Sequence, residues 1–198
     1  MKVKKIRGEW KESGIRTDMC KYTFRNYEVW NNSSRVAKDT TIAYFSNYEA
    51  LFDKRHNSIM LCGQVGSGKT HLAVALAINL LETRSKVIYM PYRDVITKIK
   101  QNMLDNEYYS KVIDKYKTCE VLLIDDLFKG KVNDSDINIM FEIINYRYLN
   151  CLPIIVSSEF TIEKLLTFDE SVGSRIYEMC KKYIVEIKKD INNNYRLR

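Results

Sequence analysis

From Asn57 onward, short apolar runs alternate with longer stretches whose apolar residues recur at helical spacing. The runs at 58–62, 86–90, 121–125, 154–157 and 183–187 are mostly Ile, Leu and Val, the composition of strands covered on both faces. Between them, Leu72, Ala75, Leu76 and Leu80 share one face of a helix over 71–81, and Val95, Ile96, Ile99 and Met103 share a face over 94–104. Ser135 reads as an N-cap ahead of a stripe formed by Ile137, Met140, Phe141, Ile144 and Tyr148. Thr161 caps a short helix over 162–166, residues 171–182 read as a last helix, and the tail 188–198 is polar. This alternation predicts an α/β fold with a five-stranded parallel sheet between helices.

Composition narrows the picture further. With 198 residues, 45% of them hydrophobic, the chain suits one compact core, and only 2 prolines and 7 glycines leave little room for linkers. No apolar stretch approaches the roughly 18 residues a bilayer requires, and the charged start Met1 to Arg7 leads into no signal core. A soluble, cytoplasmic protein with no membrane partner is expected. The 5 cysteines are an odd number without a CxxC pair, which argues for reduced core residues rather than disulfides or zinc. The net charge of +7 is uneven, with 12 Lys/Arg against 7 Asp/Glu in residues 1–57 and 20 against 18 afterwards. Such a basic arm attracts nucleic acid or an acidic protein surface, unless it is only a solvated end.

The chemistry is carried by Gly63-Gln64-Val65-Gly66-Ser67-Gly68-Lys69-Thr70, a full GxxxxGK[ST] phosphate loop between a strand and a helix. Its glycines let backbone N–H groups turn inward as an anion nest, Lys69 brings a cation to the β and γ phosphates, and Thr70 offers a hydroxyl to magnesium. Val121-Leu122-Leu123-Ile124-Asp125-Asp126 is the acid-tipped strand that accompanies such a loop, with Asp125 for the magnesium shell and Asp126 to orient the attacking water. ATP and Mg are therefore the expected cofactors. Ile154 to Glu159 is a further apolar strand with a polar end, so that Glu159 either faces the γ-phosphate or merely precedes the Thr161 cap. Arg175 is either an arginine finger offered to a neighbour's nucleotide or an ordinary surface residue.

Together these segments resemble the AAA+ helicase loaders of the DnaC and DnaI type, especially phage and prophage forms. The resemblance rests on Tyr22-Thr23-Phe24-Arg25-Asn26-Tyr27, the phosphate loop with His71-Leu72-Ala73, Leu122 to Leu127, Ile143 to Tyr148, Ile155 to Glu159 and Gly173-Ser174-Arg175-Ile176. It implies an AAA+ P-loop NTPase with little or no lid domain, divided into a basic arm and adenine-side segment over 1–57 and an ATPase core over 58–198. It also implies an adenine-side contact from residues 22–27, nucleotide contacts from His71, a finger at Arg175, a second-sensor arginine at Arg196 and self-assembly through the ATP site. Glu159 stands where the family usually has an amide, and Asp126 where AAA+ enzymes generally have glutamate. The shorter carboxylate implies slow, switch-like hydrolysis.

The implied partners are a replicative DNA helicase and single-stranded DNA, for which Lys129 and Lys131 are candidate contacts. Loaders of this type carry an N-terminal module that grips the helicase, and only about 57 residues precede the first strand here. The chain is thus expected to be either a piece of a longer protein or a short variant. Two other readings share the phosphate loop: a transposition-helper ATPase that binds duplex DNA, and a small-molecule kinase. The kinase requires an arginine-rich lid, and residues 126–198 hold no dense arginine cluster.

Overall fold

The computed structural model describes residues 10–198; the expectations for Met1 to Arg7 lie outside the described residues. Five strands, β1 (Ile59–Gly63), β2 (Val87–Pro91), β3 (Val121–Leu127), β4 (Ile154–Ser158) and β5 (Ile184–Ile187), form one sheet in the order β2-β3-β4-β1-β5. Every pairing is parallel. All five fall where the apolar runs predict, and β3 runs two residues beyond Asp125.

Seven helices flank the sheet among the described residues: α1 (Asn32–Leu51), α2 (Lys69–Glu82), α3 (Tyr92–Gln101), α4 (Asn106–Thr118), α5 (Asp134–Leu149), α6 (Ile162–Phe168) and α7 (Glu170–Cys180). Strand alternation assigns the layers. Ile59, Leu61, Leu123 and Ile155 point toward α1 and α2, while Met60, Cys62, Leu122, Ile124, Ile154 and Val156 point toward α3 to α7.

Two helices escape the apolar pattern. The buried stripe of α1 is Ala37, Thr41, Tyr44, Tyr48 and Leu51, so the helix buries hydroxyl-bearing and small residues at helical spacing. Its start is fixed by a capping box in which Asn31 and Ser34 satisfy each other's backbone N–H. Residues 32–51 are therefore not a solvated arm, because α1 packs against α2 and β5. Helix α4 buries only Ile113 and Tyr116. The cap of α5 is Asn133, not Ser135: Asn133 accepts from the Asp136 N–H, and Asp136 accepts in return from the N–H of Asn133.

The buried Arg147 on α5 spans three elements. Its Nη1 donates to the carbonyls of Tyr116, Lys117 and Cys119 at the end of α4, and Nη2 to Glu120 and Pro153, just ahead of β3 and β4. Among the cysteines, Cys62 and Cys180 are buried, Cys119 and Cys151 partly so, and Cys20 is exposed, so the core reading fails for Cys20. All five are free thiols. Among the described residues no helix is long and apolar enough to cross a membrane.

Candidate nucleotide site

The carboxyl ends of β1, β3 and β4 and the start of α2 meet at a cleft of about 420 Å³. Residues 63–68 turn from β1 into α2, with Gly63, Gly66 and Gly68 all at positive φ. At Gly63 a Cβ would lie 2.1 Å from the backbone oxygen of Ile187, so only glycine lets β5 approach this loop. Lys69 is the first residue of α2 and is buried. Its ammonium donates to the carbonyls of Gly63 (3.0 Å) and Gln64 (2.6 Å), and burial lowers its pKa against the pull of Glu159 and Asp126. A desolvated ammonium held only by carbonyl dipoles favours an incoming anion.

Ordinary alternation would send Asp125 and Asp126 to opposite faces of the sheet. The register between β3 and β4 shifts between Ile124 and Leu127, and Asp126 takes φ 58, so a bulge turns both carboxylates to the cleft. Asp125 Oδ1 accepts from Thr70 Oγ1 at 2.9 Å and from Ser157 Oγ, and Oδ2 accepts from Tyr89 Oη at 3.1 Å. Burial raises its pKa, opposed by these hydrogen bonds. A buried carboxylate beside a threonine hydroxyl is a hard-oxygen set that fits magnesium, and the destabilised anion gains most from a cation. Ser157 Oγ also accepts from the Asp126 N–H at 2.9 Å, locking the bulge to β4.

Asp126 itself is half-buried and paired. Lys129 Nζ stands 3.0 Å from Asp126 Oδ2 and 3.0 Å from Glu159 Oε1. Burial works against this ammonium's charge, yet the two carboxylates hold its pKa above the ordinary lysine value. Of the two candidate DNA contacts, Lys129 is engaged by both carboxylates at the cleft, whereas Lys131 is exposed.

The opposite wall is aromatic. Tyr22 lies 5.0 Å from the His71 ring, Tyr27 meets that ring edge-on at 5.2 Å, and Trp30 lies 5.1 Å from Tyr195. His71 Nε2 is 2.9 Å from the Thr23 carbonyl oxygen, and burial lowers its pKa. The tail closes this wall: Tyr195 N–H donates to Gly66 O (3.0 Å), Trp30 Nε1 to Asn192 O (3.1 Å) and Asn31 Nδ2 to Asn193 Oδ1 (2.8 Å).

The fold thus brings Val65 to His71, Asp125, Asp126, Glu159 and Arg196 to one cleft, with Gly63 beneath it holding Lys69. Arg175 is not among the cleft residues. It sits on α7, where Nε donates to Asn145 Oδ1 at 3.0 Å and the guanidinium lies 5.0 Å from the Phe141 ring. Sequence reasoning passed over Tyr89, Trp30 and Tyr195, and took Lys129 for a DNA contact rather than a partner of the two carboxylates. None belongs to a phosphate-binding motif, and the cluster of aromatic residues 22, 24 and 27 is the trace of the aromatic wall in the sequence.

A phosphate loop and an acid-tipped strand, separated in a parallel sheet by one intervening strand, define a P-loop ATP-binding protein of the AAA+ type. Residues 21–198 match the family described as IstB-like ATP binding protein, and the chain belongs to that family. It is 38% identical to the uncharacterized protein YqaM of Bacillus subtilis over 98% of this chain and 64% of the relative. It is 46% identical to the phage-like element PBSX protein XkdC of Bacillus subtilis over 77% of this chain and 58% of the relative. The chain thus spans less than two thirds of the length of these relatives. In fold it is similar to the DnaC helicase loader, with a TM-score of 0.72 at 24% identity over 87% of this chain and 100% of that one. It is also similar to the replication initiator DnaA bound to AMPPCP and single-stranded DNA, with a TM-score of 0.70 at 28% identity over 86% of this chain and 50% of that one.

Proposed function

We propose that the chain is a cytoplasmic, slow, switch-like ATPase that acts as a helicase loader in DNA replication, binding ATP and magnesium, holding single-stranded DNA and engaging a replicative helicase. The observation that carries it is the convergence of Lys69, Thr70, Asp125 and Asp126 on one cleft, in a chain whose fold is that of a helicase loader. The phosphate loop would hold the β and γ phosphates on its N–H groups and on Lys69. Thr70 and Asp125 would hold magnesium, which when bound offsets charge on the phosphates. Asp126 would orient the attacking water, with Glu159 beside it, while His71 would lie on the base side and Arg196 would serve as the second-sensor arginine. Arg175 faces away from its own cleft, which suits a finger supplied to a neighbouring subunit and self-assembly through the ATP site.

Two variants test the assignment. Lys69→Ala is expected to weaken ATP binding about a hundredfold in calorimetry, whereas Asp126→Asn keeps binding within a few-fold and loses turnover by about a hundredfold or more. Equal loss of binding in both variants would remove Asp126 from the water-orienting role. Anisotropy titrations with single-stranded and duplex DNA, and capture of purified replicative helicase with and without ATP, test the partners. Preference for duplex with no helicase capture would overturn the loader reading.

A further inference from the structure

The bulged end of β3 and the turn after it hold two non-glycine residues, Asp126 and Phe128, at φ 58. That conformation costs about 1 kcal/mol or more per residue and persists where packing over-determines it. Here Phe128 is the anchor: it is fully buried, with its ring 5.6 Å from Tyr92 and 5.1 Å from Phe168. The Lys129 N–H then donates to Asp126 O at 3.0 Å, closing the turn. This carries the Lys129 side chain back over the cleft, where its ammonium bridges Asp126 and Glu159 at 3.0 Å each. The two carboxylates come from different strands' ends, so the bridge depends on the strained turn.

We infer that Lys129 is a positioning residue that restrains hydrolysis, holding Asp126 and Glu159 in one ion-paired bridge that occupies Asp126 Oδ2 and so weakens Asp126 as an acceptor for the attacking water. The inference rests on the reading of Asp126 as the water-orienting group. A carboxylate oxygen engaged by an ammonium is a poorer acceptor toward water, and the pair also keeps Asp126 turned toward Glu159. The bridge is partly exposed, with side chains 31% to 40% accessible, so opening it is a modest step and the restraint is a small multiple in rate.

The test is steady-state ATPase turnover of Lys129→Gln, Lys129→Arg and Lys129→Gln/Asp126→Asn beside the parent chain, with ATP affinity from calorimetry and thermal melts to confirm folding. Lys129→Met replaces the glutamine variant should that one fail to fold. Expected are a kcat about three- to tenfold higher in Lys129→Gln with ATP affinity within about twofold, parent-like turnover in Lys129→Arg, and near-complete loss in the double variant. An unchanged or lower kcat in Lys129→Gln, or a tenfold loss of ATP affinity, would overturn the inference and make Lys129 a structural or phosphate-binding residue; the role of Asp126 would then stand on its own variant. Turnover preserved in the double variant would overturn both.

Discussion

At the phosphate end of the cleft, Lys69, Thr70, Asp125 and Ser157 stand at the ends of a helix and two buried strands, whereas at the base end Tyr22, Tyr27 and Trp30 precede α1 and Tyr195 lies in the last residues of the chain. The first wall is built by contiguous motif and sheet register. The second is assembled across the chain, by contacts such as Trp30 Nε1 to Asn192 O over 162 residues of sequence separation. Rigid elements place charges to within hydrogen-bond reach of one another, and the aromatic wall supplies area and shape with few directional demands. The phosphate end also lacks any arginine from its own α7, while the base end is closed by the chain's own tail.

The largest effect tests that last asymmetry. Arg175→Ala should lower turnover about a thousandfold if the residue completes a neighbour's phosphate end, with ATP affinity little changed. Mixing Arg175→Ala with Lys69→Ala should then restore activity, because a mixed interface pairs an intact finger with an intact loop. Full turnover in Arg175→Ala, independent of protein concentration, would make both ends self-contained. A smaller effect is expected at the base end. Trp30→Ala combined with Tyr195→Ala should weaken ATP binding about tenfold in calorimetry while kcat at saturation stays within about twofold. Equal loss of kcat would show that the tail acts on the phosphate end as well.

The smallest effect concerns His71. Burial lowers its pKa, so the folded state disfavours its proton. The sign follows from proton binding: the unfolded chain takes up the proton near pH 6.5 and the folded chain only at lower pH, so this contribution is full above about pH 6.5 and falls as pH drops below it. His71→Gln should flatten the decline in melting temperature over the mildly acidic range. An unchanged slope would assign the decline to other groups.

These two ends also differ in how far the sequence reveals them. The strands are apolar on both faces, so unbroken Ile, Leu and Val runs mark them, and the phosphate loop is a contiguous pattern with a defined context. Helix α1 remained hidden because its buried stripe uses Thr41, Tyr44 and Tyr48, whose hydroxyls read as polar, yet Tyr44 Oη donates to Asn57 O inside the core. The Ser135 cap failed because two residues earlier Asn133 could pair reciprocally with Asp136. Lys129 was legible as a basic residue near the acidic pair, but its direction depends on the positive φ of Phe128, which nothing local in Asp126-Leu127-Phe128-Lys129 demands. Trp30 and Tyr195 are beyond any short window.

The guanidinium of Arg147 sits at the opposite end of the central strands from the cleft, fastening Glu120 and Pro153 at the roots of β3 and β4. From there the two strands run side by side, Leu122 beside Ile154 and Ile124 beside Val156, until Ser157 reaches Asp125 and the Asp126 N–H. A slip of one residue at the root would turn every side chain to the other face and carry Ser157 away from both acids. Arg147 therefore works like the zero mark of a ruler: it touches no substrate, yet it sets where along two strands the acidic tips are read off.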